Sequence, residues 1–222
     1  MVKVNLKAIP YCLSDEDIAW VEKTIAGMTD EEKVGQLFFE NRGQSTDEAL
    51  IELVQKYHIG GYRYNGIKKE VVQHNIRTLQ ENSKIPLFVA CNTESGGNGS
   101  ATDGTYLANG IKIGATGNVD YAYEMGRLGN EEAATMGNNM AFAPVCDIHY
   151  NWENTEIVTR AFGNDPDRVA AMSKAYMDGV HAVPGYASVA KHWPGNGQDF
   201  RDAHISNNIN NFTFEEWMAT YG

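Results

Sequence analysis

Pro86-Leu-Phe-Val-Ala-Cys91 is the stretch that decides the fold, and it is followed at once by Asn92-Thr-Glu-Ser-Gly-Gly97. An unbroken apolar run of this length is typical of a strand that is buried on both faces of a parallel sheet. The polar, glycine-rich run after it predicts a loop at the end of that strand. In parallel α/β domains active sites are assembled at this edge, so the loop is a candidate site.

The same unit recurs on both sides of this stretch. Further strands are predicted over 59–64, 140–146 and 187–190, and helices over 47–57, 71–81, 119–136 (closed by Gly137), 167–180 and from Thr213 to Trp217. Earlier helix starts are predicted at Ser14 and Thr29, and 34–39 suits either a strand or a buried helix end. Helices between buried strands give parallel crossovers, in either a doubly wound sheet or a (β/α)₈ barrel. With no linker or repeat, residues 1–222 are expected to form one domain.

Composition and charge narrow the class of protein. Lys and Arg number 18 against 29 Asp and Glu, a net charge of −11 that disfavours a nucleic-acid partner. The three cysteines are widely spaced, which argues against a disulfide framework; Cys91 and Cys146 are expected in the core. The first residues lack the apolar run of a signal peptide, and no run is long enough to span a membrane. We therefore expect a cytoplasmic protein with no membrane partner.

The segment Lys191-His-Trp-Pro-Gly-Asn-Gly-Gln-Asp-Phe-Arg-Asp-Ala-His204 carries the strongest chemical signal. A strand ends in Lys-His, and a loop rich in Gly follows. Asp202 and His204 can form a dyad, because a carboxylate that accepts a hydrogen bond from one imidazole nitrogen fixes the tautomer and raises the basicity of the other. Such an imidazole can exchange protons near neutral pH. The alternative from spacing alone is a solvated loop with incidental His and Asp.

Metal and nucleotide sites fit the sequence less well. His192, Asp202 and His204 are ligand-type residues, but no HxH, HExxH or CxxC pattern organises them. The glycine-rich stretch 92–99 matches neither the P-loop nor the dinucleotide fingerprint. We expect no metal and no cofactor.

The sequence as a whole resembles the family-3 glycoside hydrolases of the β-N-acetylhexosaminidase type. The segment from Lys191 to His204 resembles the signature of that family. Other stretches agree in the same order over roughly residues 28 to 222: Met28-Thr-Asp-Glu-Glu-Lys-Val-Gly-Gln-Leu-Phe38, Ile59-Gly-Gly61, Phe142-Ala-Pro-Val-Cys-Asp147 and Thr159-Arg-Ala-Phe-Gly-Asn-Asp-Pro166. The resemblance implies a (β/α)₈ TIM-type barrel whose strand ends bind one sugar.

The resemblance also implies roles for individual residues. Arg160, Lys191 and His192 match sugar-binding positions, and Asp147 matches a carboxylate at a strand end with a role in scaffolding as much as in substrate contact. Asp202 and His204 match a dyad on a mobile loop, with His204 as the general acid/base.

Two departures from the family's pattern bear on function. Asn92 stands where many relatives have an Asp that holds sugar hydroxyls, so Asn92 and Glu94 are only candidate substrate-binding residues and the preferred sugar stays open. The family's nucleophile, an Asp at the end of a later strand, is expected after Gly222, with about three βα units of the barrel also absent. We therefore expect the 222-residue chain alone to be inactive, and its exposed strand edges to favour self-association.

Three functions stay open. The first is hydrolysis of terminal β-N-acetylhexosaminides or β-glucosides with retention of configuration; the second is phosphorolysis, in which phosphate replaces water. The third is sugar binding without catalysis. Three aromatic residues are candidates for stacking on sugar, or equally for the core or rim: Tyr62, Trp152 and Trp193.

Overall fold

A computed structural model describes residues 4–9 and 11–222. Five strands form one parallel sheet in the order of the sequence: β1 Phe39–Asn41, β2 Gly61–Arg63, β3 Phe88–Cys91, β4 Met140–Ala141 and β5 Ala187–Ser188. The described helices are α1 Asp15–Ala26, α2 Asp30–Gly35, α3 Asp47–Gln55, α4 Lys69–Asn82, α5 Gly110–Thr116, α6 Val119–Ala134, α7 Pro166–His181 and α8 Phe214–Met218.

The order of the strands decides between the two architectures that the sequence left open. Each new strand lies beside the one before it, after at least one helix, and the order never reverses. A doubly wound sheet reverses at a switch point, whereas a (β/α)₈ barrel adds its strands in sequence. The predicted fold, an incomplete TIM-type barrel with about five βα units, is confirmed.

Several helices begin where the sequence predicts, because the signal is local. The Ser14 and Thr29 side chains accept the backbone N–H of Asp17 and Glu32, and the carboxylates of those residues accept the N–H of the capping residue in return. Thr213 and Glu216 repeat the arrangement at α8. Each reciprocal pair satisfies two backbone donors that a helix start leaves free.

The main core lies between the outer face of the sheet and the helices. Tyr62 and Val89 point outward from the sheet and are fully buried with Leu50 and Leu79. Helices α6 and α7 pack closely, because Gly126 and Gly179 lie directly against backbone carbonyl oxygens of the facing helix. This packing places the buried Tyr176 hydroxyl 2.8 Å from the carbonyl oxygen of Thr93, to which it donates. The outer core therefore supports the loop that follows β3.

The inner face of the sheet carries a row of aromatic rings. The Phe39 ring stacks on that of Phe88 at 6.4 Å and tilts against that of Phe142 at 5.9 Å. Phe39 lies over Gly61, where a Cβ atom would overlap the ring. Phe39 and Phe88 stay 40% and 51% exposed. Self-association through the incomplete barrel stays a prediction.

The structure differs from the sequence-based expectations in a few elements. Helix α5 was not predicted, and the strands are shorter than the apolar runs that contain them. In 34–39, Val34 and Gly35 end α2, and only Phe39 enters a strand. Helix α6 ends at Ala134 with Thr135 at its cap, and Gly137 takes the left-handed conformation two residues later, with φ +97°. Cys91 is buried as expected, while Cys146 is only partly buried.

Across residues 4–9 and 11–222, none of the helices combines the length and apolar character that a membrane crossing requires.

Candidate active site

The residues singled out in the sequence converge at the carboxyl ends of the strands. Asn92 and Glu94 follow β3, and Asp147 lies in the segment that continues from β4. Lys191 follows β5 and forms a parallel bridge with Val145, which brings the last two segments side by side. Parallel strands deliver their carboxyl ends to one edge, so the sheet itself gathers these side chains.

Glu94 is the centre of a cationic cluster. Its two carboxylate oxygens accept from Arg160, with Nε 2.8 Å from Oε2 and Nη2 2.9 Å from Oε1, and Lys191 Nζ lies 2.5 Å from Oε1. Burial on its own would raise the pKa of Glu94, but the Arg160 hydrogen bond and the charges of Lys191 and Arg160 outweigh it and lower the pKa. The hydrogen bond to Glu94 in turn raises the pKa of Arg160. Glu94 is therefore an ionised anchor for two cations.

Lys191 also reaches the residue at the end of β3. Its ammonium donates to Asn92 Oδ1 at 3.2 Å. Burial lowers the pKa of Lys191, and the attraction of Glu94 offsets only part of that. Asn92, Glu94, Arg160 and Lys191 thus form one connected polar group.

Asp147 is fully buried and fixes the orientation of His192. Its Oδ2 accepts from the backbone N–H of His192 at 3.0 Å and lies 2.6 Å from His192 Nδ1, while its Oδ1 accepts from the backbone N–H of Asn196 at 2.6 Å. A carboxylate at Nδ1 places the ring proton on that nitrogen and leaves Nε2 as the free acceptor. Because its side chain has no exposed surface, Asp147 acts here as a scaffold for His192.

The side chains of Asp202 and His204 lie in contact, and their role as a catalytic dyad stays a prediction. His204 Nδ1 lies 2.6 Å from Asp202 Oδ1, which also accepts the backbone N–H of His204 at 2.8 Å. The hydrogen bond and charge of Asp202 raise the pKa of His204, as does Glu156, while Arg160 works in the opposite direction. The backbone hydrogen bond from His204, followed by that of its side chain, lowers the pKa of Asp202. The His204 side chain is 75% exposed, so Nε2 is open to a ligand.

The loop that carries the dyad is held by a second carboxylate. Asp199 pairs with the Arg201 guanidinium and accepts the backbone N–H groups of Arg201 and Ile209. The hydrogen bond from Arg201 lowers the pKa of Asp199. The carbonyl oxygens of Asn196 and Asp199 accept from the buried Asn154 amide. The glycine-rich loop is therefore anchored at both ends in this conformation.

Glu156 is the site residue that the sequence did not reveal. Its Oε2 accepts from Asn196 Nδ2 at 2.6 Å and from the backbone N–H of Ala203 at 3.3 Å, and its Oε1 lies 3.9 Å from His204 Nδ1. A single glutamate in a polar loop gives no periodic or motif signal. Only the meeting of three loops identifies it.

The three aromatic candidates for stacking on sugar differ in their exposure to solvent. Tyr62 has no exposed surface and donates its hydroxyl to the Arg42 carbonyl oxygen, so it belongs to the core and is not available for stacking on sugar. Trp152 and Trp193 are 83% and 78% exposed. Either is accessible to a ligand, and their role stays a prediction.

One group of metal-type ligands occurs in the part of the chain that the structure describes. Glu156, Asp202 and His204 offer atoms that all lie within 4.8 Å of one another. The hydrogen bonds already described account for that closeness, so we assign no metal to them; the expectation of a protein without metal or cofactor stays a prediction.

This fold and its strand-end residues define an α/β barrel of the kind that carries enzyme sites above its strands. The family model "Glycosyl hydrolase family 3 N terminal domain" matches residues 29–221. The chain belongs to glycosyl hydrolase family 3.

Individual relatives agree with this assignment. A β-N-acetylglucosaminidase/β-glucosidase of Cellulomonas fimi is 36% identical over 219 residues, which are 99% of this chain and 39% of that protein. A β-hexosaminidase of Haemophilus influenzae is 27% identical over 191 residues, 82% of this chain and 54% of that protein. Among solved structures, β-glucoside phosphorylase BglX bound to 2FGlc superposes with a TM-score of 0.92 at 36% identity, over 97% of this chain and 39% of that one. The chain thus spans about two fifths to a half of these relatives.

Proposed function

We propose that the protein containing this chain cleaves terminal β-glucosides or β-N-acetylhexosaminides, with His204 as the proton donor to the leaving oxygen. The observation that carries the proposal is the 2.6 Å contact between His204 Nδ1 and Asp202, which turns an open Nε2 outward. The relatives suggest the substrate class, because they are hexosaminidases, a β-N-acetylglucosaminidase/β-glucosidase and a β-glucoside phosphorylase.

The other site residues have distinct proposed roles. Arg160 and Lys191, both tied to Glu94, are expected to donate charge-assisted hydrogen bonds to sugar hydroxyls or to an acetamido oxygen. His192, oriented by Asp147, presents Nε2 as an acceptor for a hydroxyl. Asn92 and Glu94 both contact Lys191, so they lie in the same candidate sugar-binding cluster.

The retaining route also needs a nucleophilic carboxylate opposite the acid/base. Glu94 and Asp147 do not suit that role, since Arg160 and Lys191 engage both oxygens of the first, and His192 and Asn196 engage both oxygens of the second. We expect another carboxylate to form the glycosyl-enzyme intermediate. His204 then serves as general base for the attacking molecule.

The proton-donor role is tested by leaving groups of different acidity. In the full-length protein, His204→Ala should slow turnover of alkyl glycosides by about 10²- to 10⁴-fold, the usual contribution of a general acid. Glycosides of an activated phenol need little protonation and should lose far less. Equal losses for both substrates would refute the role.

The chain contains a matched control for this experiment. His74 Nε2 lies 2.7 Å from Asp47 Oδ1 in another exposed carboxylate–imidazole pair, between α3 and α4. His74→Ala should therefore leave the turnover of both kinds of glycoside unchanged.

A second candidate is phosphorolysis, in which a phosphate oxygen attacks the anomeric carbon of the intermediate and releases a glycosyl phosphate. The specific observation is an imidazole at the acid/base position, because a neutral imidazole does not repel an incoming anion as a carboxylate does. The likeness to a β-glucoside phosphorylase favours it further. Phosphorus NMR of the products decides: a phosphate-dependent glycosyl phosphate supports phosphorolysis, and free sugar at an unchanged rate supports hydrolysis.

Sugar binding without catalysis is the remaining alternative. Calorimetry with glucose and N-acetylglucosamine at millimolar concentration tests it directly. Heat of binding that Lys191→Ala abolishes would support the strand-end pocket, and no heat for either sugar would remove the binding role.

A further inference from the structure

The carboxylate of Glu156 occupies an unusual place between three segments of the site. Its side chain is 8% exposed. It accepts from Asn196 in the loop after β5 and from the backbone N–H of Ala203, between the two members of the dyad. Its own backbone carbonyl oxygen accepts from Arg160 Nη1 at 3.2 Å. One residue thus contacts the sugar-binding arginine, the strand-end loop and the dyad loop.

The geometry points to Glu156 as a positioning residue that holds the Asp202–His204 loop against the Arg160 segment and keeps His204 Nδ1 turned toward carboxylates. The inference rests on the proposed function for its catalytic consequence. The structural part, the placement of the loop and ring, stands on the contacts alone.

The burial of the Glu156 carboxylate argues that its position serves a purpose. A carboxylate removed from water loses favourable hydration, which must be replaced by hydrogen bonds or by positive charge. Here the donors to Glu156 are a neutral amide and a backbone N–H. Within ion-pair distance its cationic partner is His204 at 3.9 Å, when that imidazole is protonated, and the charge of Arg160 also acts on it from farther away. The burial of Glu156 is therefore coupled to the position and the charge of the imidazole.

The charged groups near His204 have opposite effects on its protonation. Asp202 lies at 2.6 Å and Glu156 at 3.9 Å from the same atom, Nδ1. Both favour the imidazolium, and Arg160 opposes it. Because both carboxylates face Nδ1, the proton that His204 gives away is the one on Nε2, toward the solvent-exposed side.

Two substitutions separate the mechanical role from the electrostatic one. Glu156→Gln can keep its oxygen toward Asn196 and Ala203, but it then presents an amide NH₂ group to His204 Nδ1. Glu156→Ala removes both interactions. Glu132→Gln is the matched control, because Glu132 is a half-buried carboxylate that accepts the backbone N–H of Thr105 at 3.0 Å and has no described contact with His204.

The first measurement is an NMR titration of His204 in the full-length protein, which needs no activity. Glu156→Gln should lower the midpoint by on the order of half a unit, given one carboxylate at this distance from an exposed imidazole. Hydrogen exchange at the Ala203 amide should stay slow in Glu156→Gln and become faster in Glu156→Ala. Glu132→Gln should change neither. An unchanged midpoint together with unchanged exchange in both Glu156 variants would overturn the inference.

The second measurement connects the placement to turnover. With a less protonated imidazole, Glu156→Gln should lose about threefold in kcat on the alkaline side of the pH profile, the equivalent of half a pKa unit, with KM little changed. A loss confined to KM would contradict a positioning role. If His204→Ala fails the leaving-group test while Glu156→Gln still shifts the titration, the proposed function falls and the placement of the loop by Glu156 stands.

Discussion

Glu94 and Arg160 form a bidentate ion pair, with Arg160 Nε 2.8 Å from Glu94 Oε2 and Nη2 2.9 Å from Oε1. The two residues are 66 positions apart in the sequence, one after β3 and one in the segment after β4. The pair fixes the planar guanidinium, which has further donors to offer to a ligand. The orientation of Arg160 is therefore set before any ligand binds.

The first prediction concerns the stability that this pair provides. Glu94→Gln removes the carboxylate that pairs with both Arg160 and Lys191, and leaves two largely buried cations without their shared ion-pair partner. We expect the free energy of unfolding to fall by roughly 1–3 kcal/mol, as when one partner of a partly buried ion pair is lost. Urea unfolding at neutral pH measures it.

The exposed pair between Lys174 and Asp178 provides the control. Its side chains are 75% and 51% exposed, so Asp178→Asn should cost less than about 0.5 kcal/mol. Equal effects of the two substitutions would mean that the Glu94 cluster adds nothing beyond a surface ion pair.

The second prediction concerns the titration of the dyad. The hydrogen bond and charge of Asp202 raise the pKa of His204, so its NMR midpoint should lie above the ordinary value of about 6.5. Asp202→Asn should return the midpoint toward that value or below it. A midpoint at the ordinary value in the unaltered protein would mean that the dyad contact does not persist in solution.

The sign of the linked stability follows from the same shift. A pKa that is raised on folding contributes stability that is complete below the unfolded value. That contribution is lost as the pH rises through the raised folded value. Unfolding measured on both sides of the His204 midpoint should therefore show a larger difference between the unaltered protein and Asp202→Asn at the lower pH.

The third prediction concerns the glycines of α5. A Cβ atom at Gly114 would overlap the carbonyl oxygen of Phe162, two residues after Arg160. Gly114→Ala should therefore destabilise the protein by about 1–3 kcal/mol, as overpacking does, and weaken sugar binding through the displaced Arg160. Thermal unfolding and calorimetry report the two effects.

Gly43 is the matched control for this substitution, because a Cβ atom there meets nothing within 4 Å. Gly43→Ala should change both quantities little. If Gly114→Ala also leaves stability and sugar binding unchanged, α5 does not pack closely against the segment that contains Arg160.

The sequence predicted those features whose causes are local or repeat along the chain. Ser14, Thr29 and Thr213 start helices because each capping residue has a Glu or Asp three positions later. The barrel followed from alternating strands and helices together with the family resemblance. The convergence of Asp147 with His192 was predictable for the same reason, since both follow apolar runs that the sequence predicts as neighbouring parallel strands.

The features that the sequence did not predict depend on contacts between distant segments. Helix α5 has the sequence Gly-Ile-Lys-Ile-Gly-Ala-Thr, whose glycines lower helix propensity. Those glycines allow the helix to lie against residues 160–162, a reason that only the tertiary structure reveals. Glu156 could not be predicted as a site residue for a similar reason, because its partners Asn196, Ala203 and His204 lie 40 or more positions away in the sequence.

The last prediction concerns Asn92, which accepts from Lys191 Nζ at 3.2 Å in place of the Asp expected from the family resemblance. Asn92→Asp would place a second carboxylate near Lys191 and offer sugar hydroxyls an anionic acceptor. Charge-assisted hydrogen bonds are about twice as strong as neutral ones, so monosaccharide affinity should rise by roughly fivefold to tenfold. Calorimetry with glucose and N-acetylglucosamine measures the change for each sugar. A gain for both places Asn92 at hydroxyls that the sugars share, whereas a gain for glucose alone places it near the 2-position. Unchanged affinity for both would exclude Asn92 from the binding pocket and limit its role to holding Lys191.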